Sequence, residues 1–157
     1  MNSINYDIFP DMMKLNFNSD VLGVTVRQRK RMIIQIRKQA LLEIANYFLD
    51  ELGYRFIIAS GMATDRGFDI LYHFSDDNKG YIINLMVSLD RKDPEIESLS
   101  NMISATNWIE REIHELFGIN FTNHPDLSSL ISDGNWAKTD YPYSLPARDN
   151  KKSRRNE

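Results

Sequence analysis

Apolar residues recur with helical spacing in two long stretches of the chain. Residues 38–52 carry one apolar stripe, and Gly53 follows where a helix end favours a left-handed residue. Residues 104–117 repeat this arrangement and are followed by Gly118. We predict a helix over each stretch, and a shorter helix over residues 94–103. The stripes consist of Leu41, Leu42, Ala45, Phe48, Leu49 and Leu52, and of Ala105, Trp108, Ile109, Ile113, Leu116 and Phe117.

Shorter segments between these helices are rich in β-branched and aromatic residues and are predicted to be strands. Residues 76–80, Asp-Asp-Asn-Lys-Gly, have the composition of a hairpin loop. This order indicates an α+β fold, a two-layer domain in which helices cover one face of a mixed β-sheet of about four to five strands. The predicted strands are residues 21–26, 32–36, 54–59, 68–74 and 81–89.

The two ends of the chain lack a clear period. A chain of 157 residues is long enough for one domain with a proper core. We predict that residues 1–20 form an irregular N-terminal arm and that residues 21–119 form the core domain. Residues 120–157 hold prolines and few periodic apolar positions, so we expect an extended, partner-docking segment with a basic tail.

Composition narrows the possible functions. A hydrophobic fraction of 42% is that of an ordinary globular domain, and a net charge of −3 argues against a nucleic-acid binder. The absence of cysteine excludes disulfides, cysteine-ligated iron–sulfur or zinc sites and a thiol nucleophile. No targeting segment or membrane-spanning stretch is evident, so we expect a cytoplasmic protein that meets a membrane only through partners.

The polar face of the 104–117 helix offers several chemistries. Its i,i+4 pairs, Glu110 with His114 and Arg111 with Glu115, are typical of a solvated face with salt bridges, and this is the favoured interpretation. A metal site would use Glu110, His114 and His124. However, the run His-Glu-Leu-Phe-Gly from His114 has Gly where a zinc hydrolase needs its second histidine.

General acid–base catalysis would use His73, His114 or His124 with a nearby carboxylate. No Ser-His-Asp order, GxGxxG or phosphate-binding loop accompanies these histidines, so catalysis by this chain is a minor alternative. After the helix, Pro125 biases His124 away from helical backbone, and Asp126 can cap a short turn. Aromatic residues in the irregular segment after this turn are typical interface anchors.

Taken in order, these residues resemble a known family. The motifs are Trp108-x-Glu110-Arg111-Glu112, Phe117-Gly118-Ile119, His124-Pro125-Asp126-Leu127 and Asp140-Tyr141-Pro142. This set is similar to the C subunit of bacterial respiratory complex I, which is the thirty-kilodalton subunit of NADH:quinone oxidoreductase. Relatives occur in energy-converting NiFe hydrogenases and formate hydrogenlyases. The close resemblance covers residues 105–142.

The resemblance implies a subunit without a cofactor in the cytoplasmic peripheral arm of a membrane-bound complex. Its implied partners are a large, NiFe-hydrogenase-like subunit and a small iron–sulfur subunit, which hold the iron–sulfur clusters and, in a hydrogenase-type complex, nickel–iron. Trp108 is expected to anchor the helix in its own core, while Glu110, Arg111 and Glu112 fix it against the following loop or a partner. The turn would be set by His124, Pro125 and Asp126, and the partner contacts made by Trp136, Asp140, Tyr141 and Pro142.

This chain departs from the family's usual pattern after the His-Pro-Asp-Leu run. Ser128 and Ser129 stand where arginines are usual, and Lys138 replaces another arginine. These departures favour a non-catalytic scaffold of a NiFe hydrogenase or formate hydrogenlyase-type complex over the thirty-kilodalton subunit of respiratory complex I. The alternative of another class is a free-standing soluble enzyme or binding module. The cations of residues 27–31 and 148–155 can be solvated or can contact a partner, and the sequence leaves both open.

Overall fold

The central element of the protein is a five-stranded mixed sheet. A computed structural model describes residues 5–132 and 141–144. The strand order is β1-β2-β5-β4-β3; β2 and β5 run parallel, and every other neighbouring pair is antiparallel. The strands are β1 (Val21–Gln28), β2 (Arg31–Ile36), β3 (Arg55–Ala63), β4 (Gly67–Asp76) and β5 (Tyr81–Asp90).

One face of this sheet carries the core. Tyr72 of β4 pairs with Leu85 of β5, which pairs with Ile34 of β2, and none of these three side chains is exposed. Side chains alternate along each strand, so the intervening positions point to the opposite face, where Ser60 and Ser88 are exposed. The strands predicted over residues 54–59, 68–74 and 81–89 correspond to β3, β4 and β5 and are confirmed.

The helices α1 (Phe9–Phe17), α2 (Leu41–Asn46) and α3 (Thr106–Phe117) pack on the core face. The ring of Phe48 meets Phe74 of β4 edge-on at 5.3 Å, and α3 lies against Gly61 of β3. A 3₁₀ turn at Lys38–Ala40 precedes α2 and a π-helical turn at Tyr47–Glu51 follows it, so the helix predicted over residues 38–52 is confirmed. The α+β class with helices on one face is also confirmed.

The predicted irregular arm is wrong for residues 9–17, which form α1. Phe9 and Met13 are one helical turn apart and both are fully buried, so the helix covers one end of the core. Tyr6 extends this contact, because its hydroxyl donates to Asp76 at 2.7 Å and its ring stacks on Tyr81. The apolar residues of α1 stand among Asn, Asp and Met residues, so their helical spacing is not clear from the sequence. Their burial depends on contact with the core of the sheet.

The short helix predicted over residues 94–103 is also wrong. Glu95–Glu97 form β6, which pairs in parallel with β7 (Asn120–Thr122). Ile96 and Phe121 are paired and buried, with polar residues on either side of each, and this is the two-residue period of a strand. A turn follows at residues 99–102. Within the described residues, no helix is long and apolar enough to cross a membrane.

Candidate functional site

The candidate site consists of α3 and the loops packed around it. The Thr106 hydroxyl donates to the carbonyl oxygen of Ile103 at 2.9 Å at the start of the helix, and Gly118 ends it with φ +77°. A Cβ on Gly61 would lie 3.0 Å from the Phe117 ring, so the glycine allows α3 to approach β3 closely. This contact fixes which face of α3 turns inward.

Glu110 lies on that inward face and is fully buried. One carboxylate oxygen accepts the Leu99 N–H at 2.9 Å, and the other accepts the Ser98 hydroxyl at 2.5 Å. Burial raises the pKa of Glu110 to about 7, although the hydrogen bonds from Ser98 and Leu99 oppose that rise. The carboxyl group therefore ties the turn after β6 to the middle of α3.

His124 packs beside this carboxyl group but does not pair with it. Its Nε2 donates to the Asn107 carbonyl oxygen at 3.1 Å, and its Nδ1 accepts the Asp126 N–H at 3.1 Å. This bonding requires the neutral ring with its proton on Nε2. The 3.9 Å separation between Nε2 and the Glu110 carboxylate is consequently a close contact, neither a hydrogen bond nor an ion pair.

Glu115 holds the loop at the other end of the motif. Its two carboxylate oxygens accept the backbone N–H groups of Leu130, Ile131 and Ser132 at 2.7–2.8 Å, and the Ser132 hydroxyl as well. Burial by itself would raise the pKa of Glu115, but these hydrogen bonds lower it to about 2. Two glutamates on one helix thus have oppositely shifted pKa values.

Arg111 makes the third attachment between α3 and the loop. Its guanidinium donates to the carbonyl oxygens of Ser128 and Ser129 at 2.9 and 3.1 Å and to the Ser128 hydroxyl at 3.0 Å. Asp126 accepts the Ser128 N–H at 2.9 Å, and this bond lowers the pKa of its carboxyl. The carbonyl groups of Ser128 and Ser129 and the hydroxyl group of Ser128 therefore accept the hydrogen bonds of the Arg111 guanidinium.

The predicted i,i+4 salt bridges do not form. Glu110 and Glu115 turn inward to loop backbone, and His114 Nδ1 contacts the Ile119 carbonyl oxygen at 2.8 Å. The prediction failed because buried N–H groups without acceptors cost more than exposed ion pairs gain. The predicted solvated face is thus partly an internal surface.

Trp108 is not the core anchor that the sequence suggested. Its side chain is 69% exposed, because the inward face of α3 is occupied by Glu110 and Ile113. Glu112 is half-buried and, within residues 5–132 and 141–144, forms no hydrogen bond or ion pair. Pro125 is exposed at the turn. These side chains face outward from the site.

Residues 141–144 pack on this chain itself, where a partner contact was expected. The Tyr143 N–H donates to the Leu116 carbonyl oxygen at 2.9 Å, and the Tyr141 ring lies against Gly118. Arg91 at the end of β5 donates to the carbonyl oxygens of Ser144 and Thr64. Pro142 is exposed, and Trp136 and Asp140 lie outside the described residues.

Sequence reasoning missed the main partners of these groups. Ser98 and Arg91 lie in no recognisable motif, and their roles depend on a turn and a strand end that meet α3 only in the fold. For Glu115 the sequence contains a weak indication of its role, because it is a carboxylate near the end of an amphipathic helix that precedes an irregular segment. Within the described residues, no group of three His, Asp or Glu side chains could hold a metal ion. The hydrogen bonds of this site connect α3 to the turn after β6 and to the loop at residues 128–132.

Comparison with known proteins gives this arrangement a context. The family model described as "Respiratory-chain NADH dehydrogenase, 30 Kd subunit" matches residues 34–154. The C subunit of the NADH-quinone oxidoreductase of Citrifermentans bemidjiense is 27% identical over 150 residues, covering 90% of this chain and 92% of that protein. The protein of the same name from Chelativorans sp. is 35% identical over 96 residues, covering 57% of this chain and 48% of that protein.

Two solved structures share the fold. A trypsin-resistant fragment of Nqo5 has a TM-score of 0.64 at 17% identity, covering 76% of this chain and 98% of the fragment. A chain of an archaeal membrane-bound sulfane sulfur reductase has a TM-score of 0.74 at 12% identity, covering 98% of this chain and 93% of that one. At these identities the likeness concerns the fold alone.

Proposed function

Because the chain belongs to the family of the 30-kDa subunit of respiratory-chain NADH dehydrogenase, we propose that it is a structural subunit without a redox centre. Family membership makes it one subunit of a multi-subunit respiratory complex. The observation that carries the proposal is how the motif is used. Glu110, Arg111 and Glu115 all bond to segments of their own chain, and these bonds shape a surface from which Trp108 projects.

Two types of complex remain candidates. Both relatives named above are subunits of NADH-quinone oxidoreductase, and this supports the 30-kDa subunit of a complex I-type enzyme first. The second candidate is the NiFe hydrogenase or formate hydrogenlyase-type complex. It is favoured by Ser128 and Ser129, which stand where arginines are usual and instead receive Arg111 through their oxygens.

In either complex, the proposed role is to hold a large subunit and an iron–sulfur small subunit in register for electron transfer. Trp108 supplies an aromatic anchor of the kind that dominates protein interfaces. Glu112 adds a carboxylate without an internal partner in the described residues. The proposed location is the peripheral arm on the inner side of the membrane, with membrane contact made by other subunits.

Purification of the tagged full chain from gently solubilised membranes tests this function. We expect a large subunit and an iron–sulfur subunit to co-purify, whereas the chain produced alone should contain no iron, nickel or flavin. Nickel in the intact complex would identify the hydrogenase type, and quinone reduction by NADH the complex I type. A monodisperse chain with no co-purifying subunit, or stoichiometric metal in the isolated chain, would refute the proposal.

The structure also determines where the chain can be shortened. From sequence alone, a chain truncated after Gly118 is predicted to fold but to lose the complex. That truncation would delete the buried Ile119 and Phe121 and the acceptors of Arg111, so it would unfold part of the core. Truncation after Ser144 preserves these contacts and is the suitable test of the basic tail in assembly.

A further inference from the structure

The hairpin formed by β1 and β2 has an unusual charge. Residues 21–42 contain six lysines and arginines and no aspartate or glutamate, in a chain whose net charge is −3. Four of these cations lie at or beside the hairpin turn, in the run Arg-Gln-Arg-Lys-Arg from Arg27 to Arg31. The turn itself consists of Arg29 and Lys30.

The cations of the turn are not neutralised by neighbours. Arg27, Arg29 and Arg31 are exposed, and none forms an ion pair within the described residues. Elsewhere, by contrast, Arg55 pairs with Asp77 at 2.7 Å. Lys30 is used differently: its ammonium donates to the Lys79 carbonyl oxygen at 2.6 Å and lies 5.6 Å from the Tyr81 ring centre. One cation therefore fixes the turn while three remain available.

A cavity adjoins this turn. Its volume is about 560 Å³, and it is lined by Gln28, Arg29, Lys30, Arg31, Gly80 and Ile82. Arg29 and Arg31 line this concave surface, which can accommodate a carboxylate-bearing side chain, since guanidinium groups bind carboxylates with two parallel hydrogen bonds. Both the positive charge and the concave shape at this end of the sheet therefore suit a carboxylate-bearing side chain.

The outer edge of β1 is open beside this cavity. β1 is the end strand of the sheet, and within the described residues no strand pairs with its outer edge. Leu22 and Val26 are 52% and 61% exposed, and a Cβ placed on Gly23 would meet nothing within 4 Å. An accessible strand edge presents unpaired backbone donors and acceptors to another extended chain.

Cations on an edge strand have an ordinary role, which is to prevent edge-to-edge aggregation. That role explains why a second copy of this chain is a poor occupant, since its own arginines would meet those of the first. The same charges attract an acidic segment. Charge complementarity therefore selects one class of occupant among those that could add a strand here.

We propose that the β1 edge and the basic turn form a docking site for an extended acidic segment of a partner subunit. The segment adds a strand beside Gly23–Val26 and places its carboxylates against Arg27, Arg29 and Arg31. This inference rests on the proposed function, because it requires that the chain assembles with other subunits. It assigns a role to a surface distant in sequence from the motif helix.

Site-specific photocrosslinking in the assembled complex tests this inference. The photoreactive residue p-benzoylphenylalanine replaces Val26 in the tagged chain, and Leu15, 83% exposed on α1, is the control position. We expect the Val26 position to crosslink to a segment of another subunit with net negative charge, at a yield at least fivefold above the Leu15 position. The triple variant R27Q/R29Q/R31Q should reduce that yield at least fivefold, because the arginines attract the segment.

A second triple variant, K14Q/R66Q/K92Q, removes three other exposed cations and should leave the yield unchanged. Crosslinks to lipid, to another copy of this chain or to a segment without net negative charge would overturn the inference, as would no crosslink above the control position. Co-purification of partner subunits is scored in the same samples. Partners without this crosslink would refute the docking site alone, whereas no partners at all would refute the proposed function.

Discussion

At the scale of single residues, the motif separates two carboxyl groups that look equivalent in sequence. Glu110 is fully buried and receives two hydrogen bonds, whereas Glu115 receives hydrogen bonds from three backbone N–H groups and a hydroxyl. Desolvation favours the protonated acid, and hydrogen-bond donors favour the carboxylate. The balance between the two decides whether each pKa is raised or lowered. The environment of each glutamate, and not the residue type, therefore determines its pKa.

Replacing Glu110 with Gln should change how stability depends on pH. The pKa of Glu110 is about 7 in the folded protein and 4.5 when exposed. The folded state therefore retains a proton that the unfolded state loses, and wild-type stability should fall by about 3 kcal/mol as pH rises from 4.5 to 7. Urea unfolding across this range should show the fall in wild type and in Glu112→Gln, but not in Glu110→Gln. Parallel curves for all three proteins would contradict the assignment.

Replacing Glu115 with Gln should weaken the loop that it holds. The amide NH₂ group cannot accept, so either the Ser132 N–H or the N–H groups of both Leu130 and Ile131 lose their acceptor, at a cost of about 2 kcal/mol or more. The pKa of Glu115 is lowered, so its contribution is present above pH 4.5 and lost as pH falls towards 2. Hydrogen exchange should accelerate at residues 130–132 in the variant at pH 7. Unchanged exchange there would show that the carboxylate does not hold the loop.

At the scale of elements, two glycines fix the C-terminal part of α3. Gly61 lets the helix approach β3, and Gly118 ends it in left-handed conformation beneath the Tyr141 ring. The C-terminal end of α3, strand β3 and the segment at residues 141–144 are therefore in direct contact. This explains how a motif spread along the sequence becomes one surface.

The substitution Gly118→Ala should destabilise the protein by about 1–3 kcal/mol. A Cβ at φ +77° is strained, and it would lie 2.6 Å from the Tyr141 ring. Gly23→Ala is the matched control, because its Cβ would meet nothing within 4 Å. Thermal and urea unfolding of both variants measure the effect. In a Tyr141→Ala background the steric part should vanish, and a penalty independent of Tyr141 would show that the ring does not pack there.

At the scale of the whole molecule, the chain buries one face of its sheet and keeps two features outward. α1, α2 and α3 cover the core, while Trp108 and the basic turn are exposed at separate places. Exposed aromatic and cationic groups do not stabilise an isolated domain, but they suit a subunit with more than one neighbour. The shape thus agrees with membership of a multi-subunit complex.

Replacing Trp108 with Ala should disrupt assembly without unfolding the chain. An exposed side chain contributes little to folding, so stability should change by less than about 0.5 kcal/mol. A central interface tryptophan contributes about 2 kcal/mol or more to binding, so co-purification of partner subunits should fall at least tenfold. Leu15→Ala, another exposed apolar position, should not reduce recovery. Full recovery with Trp108→Ala would place the interface elsewhere.

Sequence alone determined the two long helices, the strands of the main sheet, the α+β class and the family. Each of these depends on local periodicity or on an ordered motif, and both are written along the chain. Only the tertiary structure decided that residues 9–17 are helical, that residues 95–97 pair with 120–122, and that Trp108 faces outward. It also decided which glutamate has a raised pKa and which a lowered one. These outcomes depend on desolvation and on hydrogen-bond partners far apart in sequence, and no local pattern records which distant segment will satisfy a buried group.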